Sequence, residues 1–251
     1  MIFKANTTIS FYDLDARGDV TLTALLKHIN LSAGANANDL GIGINDTLPL
    51  GLTFVLQRFA LRIYDWPVFG QEVTIRTWPA EISKGAFRRN GDMTSLDGKK
   101  LAEWTGLWVL IDINKRKVKR PKALPVTLPE HGLLDVTIEA DKIEVPQNAE
   151  LIASYPHIVR FSEIDVNKHM NNANYGNLIA NVLEISESPL KIATKWREVQ
   201  FNYLAETKRD EEVVVEFRQL GEDLYVTGTE QDRMVFVAKV NVDEAGGPSG
   251  K

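Results

Sequence analysis

Apolar residues along this chain recur with two different periods. Leu22, Leu25, Leu26 and Ile29 follow i, i+3, i+4, i+7 spacing within TLTALLKHINLSAGANANDLG, which predicts a helix. The same spacing returns in NNANYGNLIANVLEI with Tyr175, Leu178, Ile179 and Val182. Thr21 or Thr23 suits the first N-cap and Asn171 or Asn172 the second. After each helix come runs rich in Val, Ile, Thr, Phe and Trp, separated by turn signals such as Asp97-Gly98, and these read as strands. Four are expected at Leu52–Tyr64, Glu72–Ile82, Gly85–Ser95 and Lys100–Ile113. Four more are expected at Ile192–Leu204, Glu211–Leu220, Leu224–Asp232 and Met234–Val242.

The two halves resemble each other. Phe11-Tyr12-Asp13-Leu14-Asp15 opens one segment and Phe161-Ser162-Glu163-Ile164-Asp165 opens another, 150 positions on. Each half reads strand, long helix, then four strands, an α+β layering in which the helix covers one sheet face. Ala24, Ser32, Ala33, Gly34, Ala35, Ala173, Gly176 and Ala180 would let a curved antiparallel sheet approach the helices closely. Between the halves, Pro121, Pro125, Pro129, Pro146 and Pro156 supply half of the ten prolines, too many for a central strand. Lys119 to about Asn148 therefore reads as a surface connector, with an edge strand at Asp135–Val145. The expected organisation is a first domain at 1–120, a connector at 121–150, a second domain at 151–244 and a flexible tail at 245–251.

Composition narrows the chemistry. The 251 residues include no cysteine, which excludes disulfides, thiolate metal sites and cysteine nucleophiles. Lys plus Arg is 29 and Asp plus Glu is 34, so the formal charge of −5 argues against a nucleic-acid partner. No apolar run is long enough for a signal peptide or a membrane span, so the expected location is the cytoplasm. His28, His131 and His157 join no ligand pattern, and neither a metal nor any other cofactor is expected. Phosphate-binding and nucleophile-elbow glycine motifs are missing from the sequence.

The densest polar cluster is SEIDVNKHMNNANYG, which sets Asp165, Asn167, His169, Asn171, Asn172 and Asn174 between an apolar strand and an apolar helix. Turn chemistry needs one or two such residues, not six. A helix entrance presents backbone N–H groups and the positive dipole end, suited to an oxyanion. His169 could then donate to a carbonyl or shuttle a proton, Asn167 position a water, and Asp165 orient the set or act as base. Taken singly, each has an ordinary reading: an exposed histidine, a turn former, a cap. Glu206, in NYLAETKRDEEV, is by default an exposed turn residue. Yet a helix of about 15 residues and a returning strand of about 7 both cover about 22 Å, so the strand can carry Glu206 back beside His169.

The block Asp165-Val166-Asn167-Lys168-His169-Met170-Asn171-Asn172 with Tyr175, together with Asn202-Tyr203-Leu204-Ala205-Glu206, resembles the acyl–acyl carrier protein thioesterases of bacteria and plants. RFALRIYDWPVFGQEVTI, KGAFRRNGDM and GLWVLIDINKRKVKRP extend the resemblance through the first half. It implies two tandem hot-dog domains, each a long helix wrapped by a curved antiparallel sheet. It also implies hydrolysis of fatty acyl thioesters on acyl carrier protein, with Asp165, Asn167, His169 and Glu206 as catalytic residues and Asn171 and Asn172 at the oxyanion end. Plant members carry a cysteine after the catalytic glutamate, where this chain has Thr207, so a thiolate mechanism is impossible here. Water attack assisted by Glu206 and His169 is the expected route, with a covalent acyl-glutamate as its competitor. Acyl selection would fall to the first domain, near the first helix, Leu52–Leu61 and Trp104–Trp108. An acidic carrier calls for a basic surface, for which Arg116, Lys117, Lys119 and Arg120, with Arg88 and Arg89, are the candidates. An acyl-CoA thioesterase and a non-catalytic acyl-binding module are the alternatives, and the chain is expected as a monomer or homodimer.

Overall fold

The computed structural model describes residues 2–132, 134–186 and 196–242. The chain divides into two compact units, Met1–Lys142 and Ile143–Lys251. The first contains β1 (Phe3–Thr8), α1 (Leu22–Asp39), a short α2 (Ile44–Thr47), β2 (Leu52–Ile63), β3 (Glu72–Ser83), β4 (Ala86–Ser95), β5 (Lys100–Asp112) and β6 (Lys117–Lys119). The second contains β7 (Glu150–Ile158), α3 (Tyr175–Ile185), β8 (Trp196–Tyr203), β9 (Glu212–Leu220), β10 (Asp223–Glu230) and β11 (Arg233–Val242). Eight strands thus fall within a few residues of their expected bounds. Part of the fifth expected strand, 192–195, and the expected tail lie outside the described residues.

Strand order in the first unit is β1-β3-β4-β5-β2, with β6 extending β5 as a hairpin, and in the second it is β7-β9-β10-β11-β8. Within each unit the pairings are antiparallel. The first, third, fourth, fifth and second strands therefore lie side by side in both units, which is the hot-dog arrangement. Pro156 sits in β7, at the edge, where its missing N–H costs no ladder bond.

Each helix turns its apolar stripe into its unit. Leu22, Leu25, Leu26 and Ile29 are buried in α1, and Tyr175, Leu178, Ile179 and Val182 in α3. Thr21 caps α1 by accepting from the Ala24 N–H at 3.1 Å. In the second unit Asn171 accepts from the Ala173 N–H at 3.0 Å, but it caps a 3-10 turn (Asn172–Asn174) and the α-helix begins only at Tyr175.

Between β4 and β5 of the first unit, Gly91 faces Trp104, and between β10 and β11 of the second, Gly228 faces Phe236. A Cβ on either glycine would overlap the opposing ring. The missing side chain lets a fully buried aromatic lie flat across its neighbouring strand.

The connector corrects one expectation. Asp135–Val145 forms no strand. Its alternation is real: Val136, Ile138 and Ala140 are buried against Ala60, Trp78 and Ala80. Those partners come from β2 and β3, so the segment crosses a sheet face and cannot pair along an edge. Side chains hold it instead. Glu103, fully buried, accepts from the Thr137 hydroxyl at 2.9 Å and N–H at 3.1 Å, and pairs with Lys100. Burial alone would raise the Glu103 carboxyl, but these hydrogen bonds outweigh it and hold the pKa below its ordinary value.

Candidate active site

Two chain segments build the site, both within the second unit. The first is the turn between β7 and α3. After a 3-10 turn at Phe161–Glu163, the Asp165 N–H donates to the His169 carbonyl at 2.9 Å, and the Lys168 N–H returns to the Asp165 carbonyl at 2.9 Å. The Asp165 carboxylate accepts from the Asn167 N–H at 2.8 Å. Lys168 closes this turn in the left-handed region, with φ 67°. An isolated bridge between Ile164 and Met170 seals its base, leaving Asn167 exposed at its tip.

The second segment follows β8. The Leu204 and Ala205 N–H groups both donate to the Val235 carbonyl, at 2.9 and 3.1 Å, and this turns the chain out of the ladder. Glu206 comes next. Its Oε2 lies 2.8 Å from His169 Nε2, so the returning strand does deliver the carboxylate to the imidazole. The histidine side chain is 17% exposed and the glutamate 37%, so water reaches the carboxylate more readily than the ring. Behind the pair, the Met170 N–H donates to the Thr207 carbonyl at 2.8 Å, and Tyr175 Oη lies 2.9 Å from Thr207 Oγ1.

The first unit repeats most of the turn's backbone framework. The Asp15 N–H donates to the Asp19 carbonyl, the Gly18 N–H to the Asp15 carbonyl, and the Arg17 N–H to the Asp15 carboxylate. The Thr21 N–H donates to the Asp13 carbonyl as Asn171 does to Glu163, and Tyr64 and Asp65 share the Leu101 carbonyl as Leu204 and Ala205 share Val235. At the two decisive positions the units differ. Asp19 stands where the second unit has His169, and the buried Trp66 where it has Glu206. Asp165 and the Asn167 backbone thus perform turn chemistry common to both units, whereas the pairing of His169 with Glu206 has no equivalent at Asp19 and Trp66.

The expected row of open N–H donors at the helix entrance is not there. The N–H groups of Met170, Asn171, Ala173 and Asn174 are taken by the Thr207 carbonyl, the Glu163 carbonyl, the Asn171 side chain and the Asn171 carbonyl. The Asn171 amide oxygen is itself occupied as a cap. A start by way of a 3-10 turn satisfies these groups locally, which apolar spacing alone does not foretell.

The basic candidates separate. Arg116, Lys117 and Arg120 are exposed on the β5–β6 hairpin and just beyond it, and Lys119 pairs with Asp112 at 3.3 Å. Arg88 and Arg89 do not join them. Arg88 is 13% exposed and bound to Glu139 at 2.7 Å, while Arg89 turns inward to Asn36 at 2.7 Å and Thr77 at 3.3 Å. Burial lowers the Arg89 pKa to about 10. Adjacent strand residues face opposite ways, so neighbours in sequence do not share one surface.

Of the other histidines, His28 pairs with Asp13 at 3.2 Å and His157 with Glu163 at 3.0 Å. Among the described residues no cluster of three or more His, Asp or Glu side chains could hold a metal ion. In the first unit a slot of about 10 Å³ lies between α1 and the sheet, lined by Ile29, Ala33, Phe59, Arg89, Trp104 and Trp108. Among the described residues no helix is long and apolar enough to cross a membrane.

Two hot-dog units in tandem, one of them bearing a carboxylate–imidazole pair at the helix entrance, define a class of double hot-dog proteins. Comparison with known families places the chain within that class: residues 1–123 match the acyl-ACP thioesterase N-terminal domain and residues 146–244 the C-terminal domain. The chain belongs to the acyl-ACP thioesterase family. A palmitoyl-acyl carrier protein thioesterase of Arabidopsis thaliana is 23% identical over 222 residues, 84% of this chain and 53% of the relative. The chain spans about half the length of the curated plant relatives it matches. An acyl-ACP thioesterase structure from Bacteroides thetaiotaomicron superposes with a TM-score of 0.79 at 22% identity, covering 96% of this chain and 98% of that one. The 12:0-ACP thioesterase of Umbellularia californica gives a TM-score of 0.78 at 17% identity, covering 96% and 97%.

Proposed function

We propose that this protein hydrolyses the thioester between a fatty acyl chain and the phosphopantetheine arm of acyl carrier protein, releasing the free fatty acid and the carrier thiol. The 2.8 Å contact between His169 and Glu206, in the unit that matches the C-terminal thioesterase domain, carries the reading. A carboxylate in hydrogen-bond contact with an imidazole is arranged to trade protons. Glu206, the more exposed partner, takes a proton from water as that water attacks the thioester carbonyl. His169 shares the charge and returns the proton to the leaving thiolate. Asn167, at the exposed tip of the same turn, positions the water, and Asp165 holds the turn that presents His169. The bookkeeping closes with one water consumed, one C–S bond broken and one C–O bond formed.

The first unit supplies acyl selection in this reading, through α1 and the strand segments Leu52–Leu61 and Trp104–Trp108. The acidic carrier is met by the basic hairpin at Arg116, Lys117, Lys119 and Arg120. The protein acts in the cytoplasm, as a monomer or homodimer.

Thiol release from a panel of acyl carrier protein thioesters tests the proposal. His169→Ala and Glu206→Ala, checked by thermal melts, are expected to lose about 10²–10⁴-fold in kcat. Wild-type protein that binds fatty acid yet releases no thiol from any substrate would defeat the hydrolytic reading, and faster turnover of acyl-CoA than of acyl carrier protein would reassign the substrate. In a single turnover in ¹⁸O water, label should appear in the fatty acid and not first in Glu206.

A further inference from the structure

Neither residue of the catalytic pair sits on a regular element, so something must fix their separation. Three buried or half-buried contacts join the segment carrying Glu206 to the segment carrying His169. The Met170 N–H donates to the Thr207 carbonyl at 2.8 Å, Tyr175 Oη and Thr207 Oγ1 are 2.9 Å apart, and the Tyr203 hydroxyl donates to the Asn172 carbonyl at 3.2 Å. Thr207 is 1% exposed and Tyr175 4% exposed. Tyr175 also packs edge-on against Tyr203 and Phe236, at ring distances of 5.3 and 4.9 Å, which locks its hydroxyl in place. Burial pushes the Tyr175 hydroxyl up to about 12, so it stays protonated and able to donate.

The first unit is an internal control. Its backbone makes the same turn bonds at Asp15, Gly18, Thr21, Tyr64 and Asp65, yet Pro67 stands at the Thr207 position, Leu25 at the Tyr175 position and Ile63 at the Tyr203 position. All three side chains are apolar. The fold is therefore made without the polar clamp, and the clamp occurs in the unit that has the His169–Glu206 pair. A buried hydroxyl pair adds only modestly to net stability, so stability alone gives little reason for it.

We infer that Thr207, held by Tyr175, is a positioning residue that sets the Glu206 carboxylate against His169, with Tyr203 supporting it. This rests on the hydrolytic reading for its effect on rate, but not for its effect on the imidazole. A carboxylate in contact raises the pKa of an imidazole by favouring its charged form. Loosening the clamp lengthens that contact and lowers the His169 pKa. Asp165 and Lys168 beside His169, Glu211 beyond Thr207, and Arg233, which donates to the Glu206 carbonyl at 3.3 Å, are left in place by the substitutions below.

The test uses Thr207→Val, Thr207→Ser, Tyr175→Phe and the Thr207→Val/Tyr175→Phe double variant of the full chain. His169 titration by NMR reads the geometry without reference to activity. Thr207→Val and Tyr175→Phe should each lower the imidazole pKa, and Thr207→Ser should restore most of the shift. In thiol release, the two disruptive variants should lose about tenfold in kcat with KM little changed, and the acid limb of kcat/KM should move to lower pH. Since one hydrogen bond is removed in either case, the double variant should lose no more than the worse single. Wild-type titration and rates in both Thr207→Val and Tyr175→Phe, with only the melting temperature lowered, would make the clamp a stability feature and overturn the inference. If one variant does not fold, the other decides alone. A shifted His169 titration in a protein that hydrolyses nothing would keep the clamp and sink the hydrolase.

Discussion

At the scale of single residues, the turn before α3 separates structural from chemical work. Asp165 and Asp15 make the same carboxylate-to-N–H bond two residues along, so this aspartate is a turn former wherever it stands. His169 has no such double, because its counterpart is Asp19. Lys168 is the strained member: it adopts φ 67°, and its counterpart in the first unit is Gly18, at φ 85°. A left-handed conformation costs an L-residue about 1–2 kcal/mol, whereas glycine costs about 0.5–1 kcal/mol in chain entropy. Lys168→Gly should therefore leave stability unchanged or raise it by up to about 1 kcal/mol. Calorimetry would show a melting temperature at or a few degrees above wild type, and a clear decrease would contradict the strain argument.

At the scale of elements, both units solve one packing problem in the same way. A glycine on the fourth strand in chain order lies beneath a buried aromatic on the fifth, Gly91 under Trp104 and Gly228 under Phe236. Phe236 in turn supports Tyr175, so this packing reaches the site. Gly91→Ala and Gly228→Ala should each destabilise by about 1–3 kcal/mol, since the ring must leave its rotamer or the strands must part. Urea denaturation measures this directly, and midpoints equal to wild type would mean that the rings have room to spare. The connector carries the complementary lesson. Its alternating Val136, Ile138 and Ala140 read as a strand in sequence, and they do bury one side. Period two reports a one-sided extended chain, while a ladder partner is a separate condition that this segment, crossing the strands, does not meet.

At the scale of the whole molecule, a formal charge of −5 coexists with a basic hairpin. Arg116 and Lys117 are exposed there, whereas Lys119 already faces Asp112. Reversing Arg116 and Lys117 to Glu tests carrier docking at its exposed cations. KM for an acyl carrier protein substrate should rise about tenfold, in a salt-dependent way, while a small thioester is hydrolysed as before. Equal loss on both substrates would remove the hairpin from the docking surface.

The sequence by itself determined the elements, their repetition and the residues of the candidate site. Apolar periodicity is local, so the two helices and eight strands could be read within a few residues, and the D-x-N-x-H block with the later glutamate pointed to one site. Tertiary structure alone decided what depends on pairing across distance. It brought Glu206 to 2.8 Å from His169, laid the connector across a sheet face, turned Arg89 inward and enclosed Thr207 beneath Tyr175. Tyr175 illustrates the limit. Its place on an apolar stripe marks it as core, and it is core, but its hydroxyl finds a partner 32 residues away only after the strand has returned.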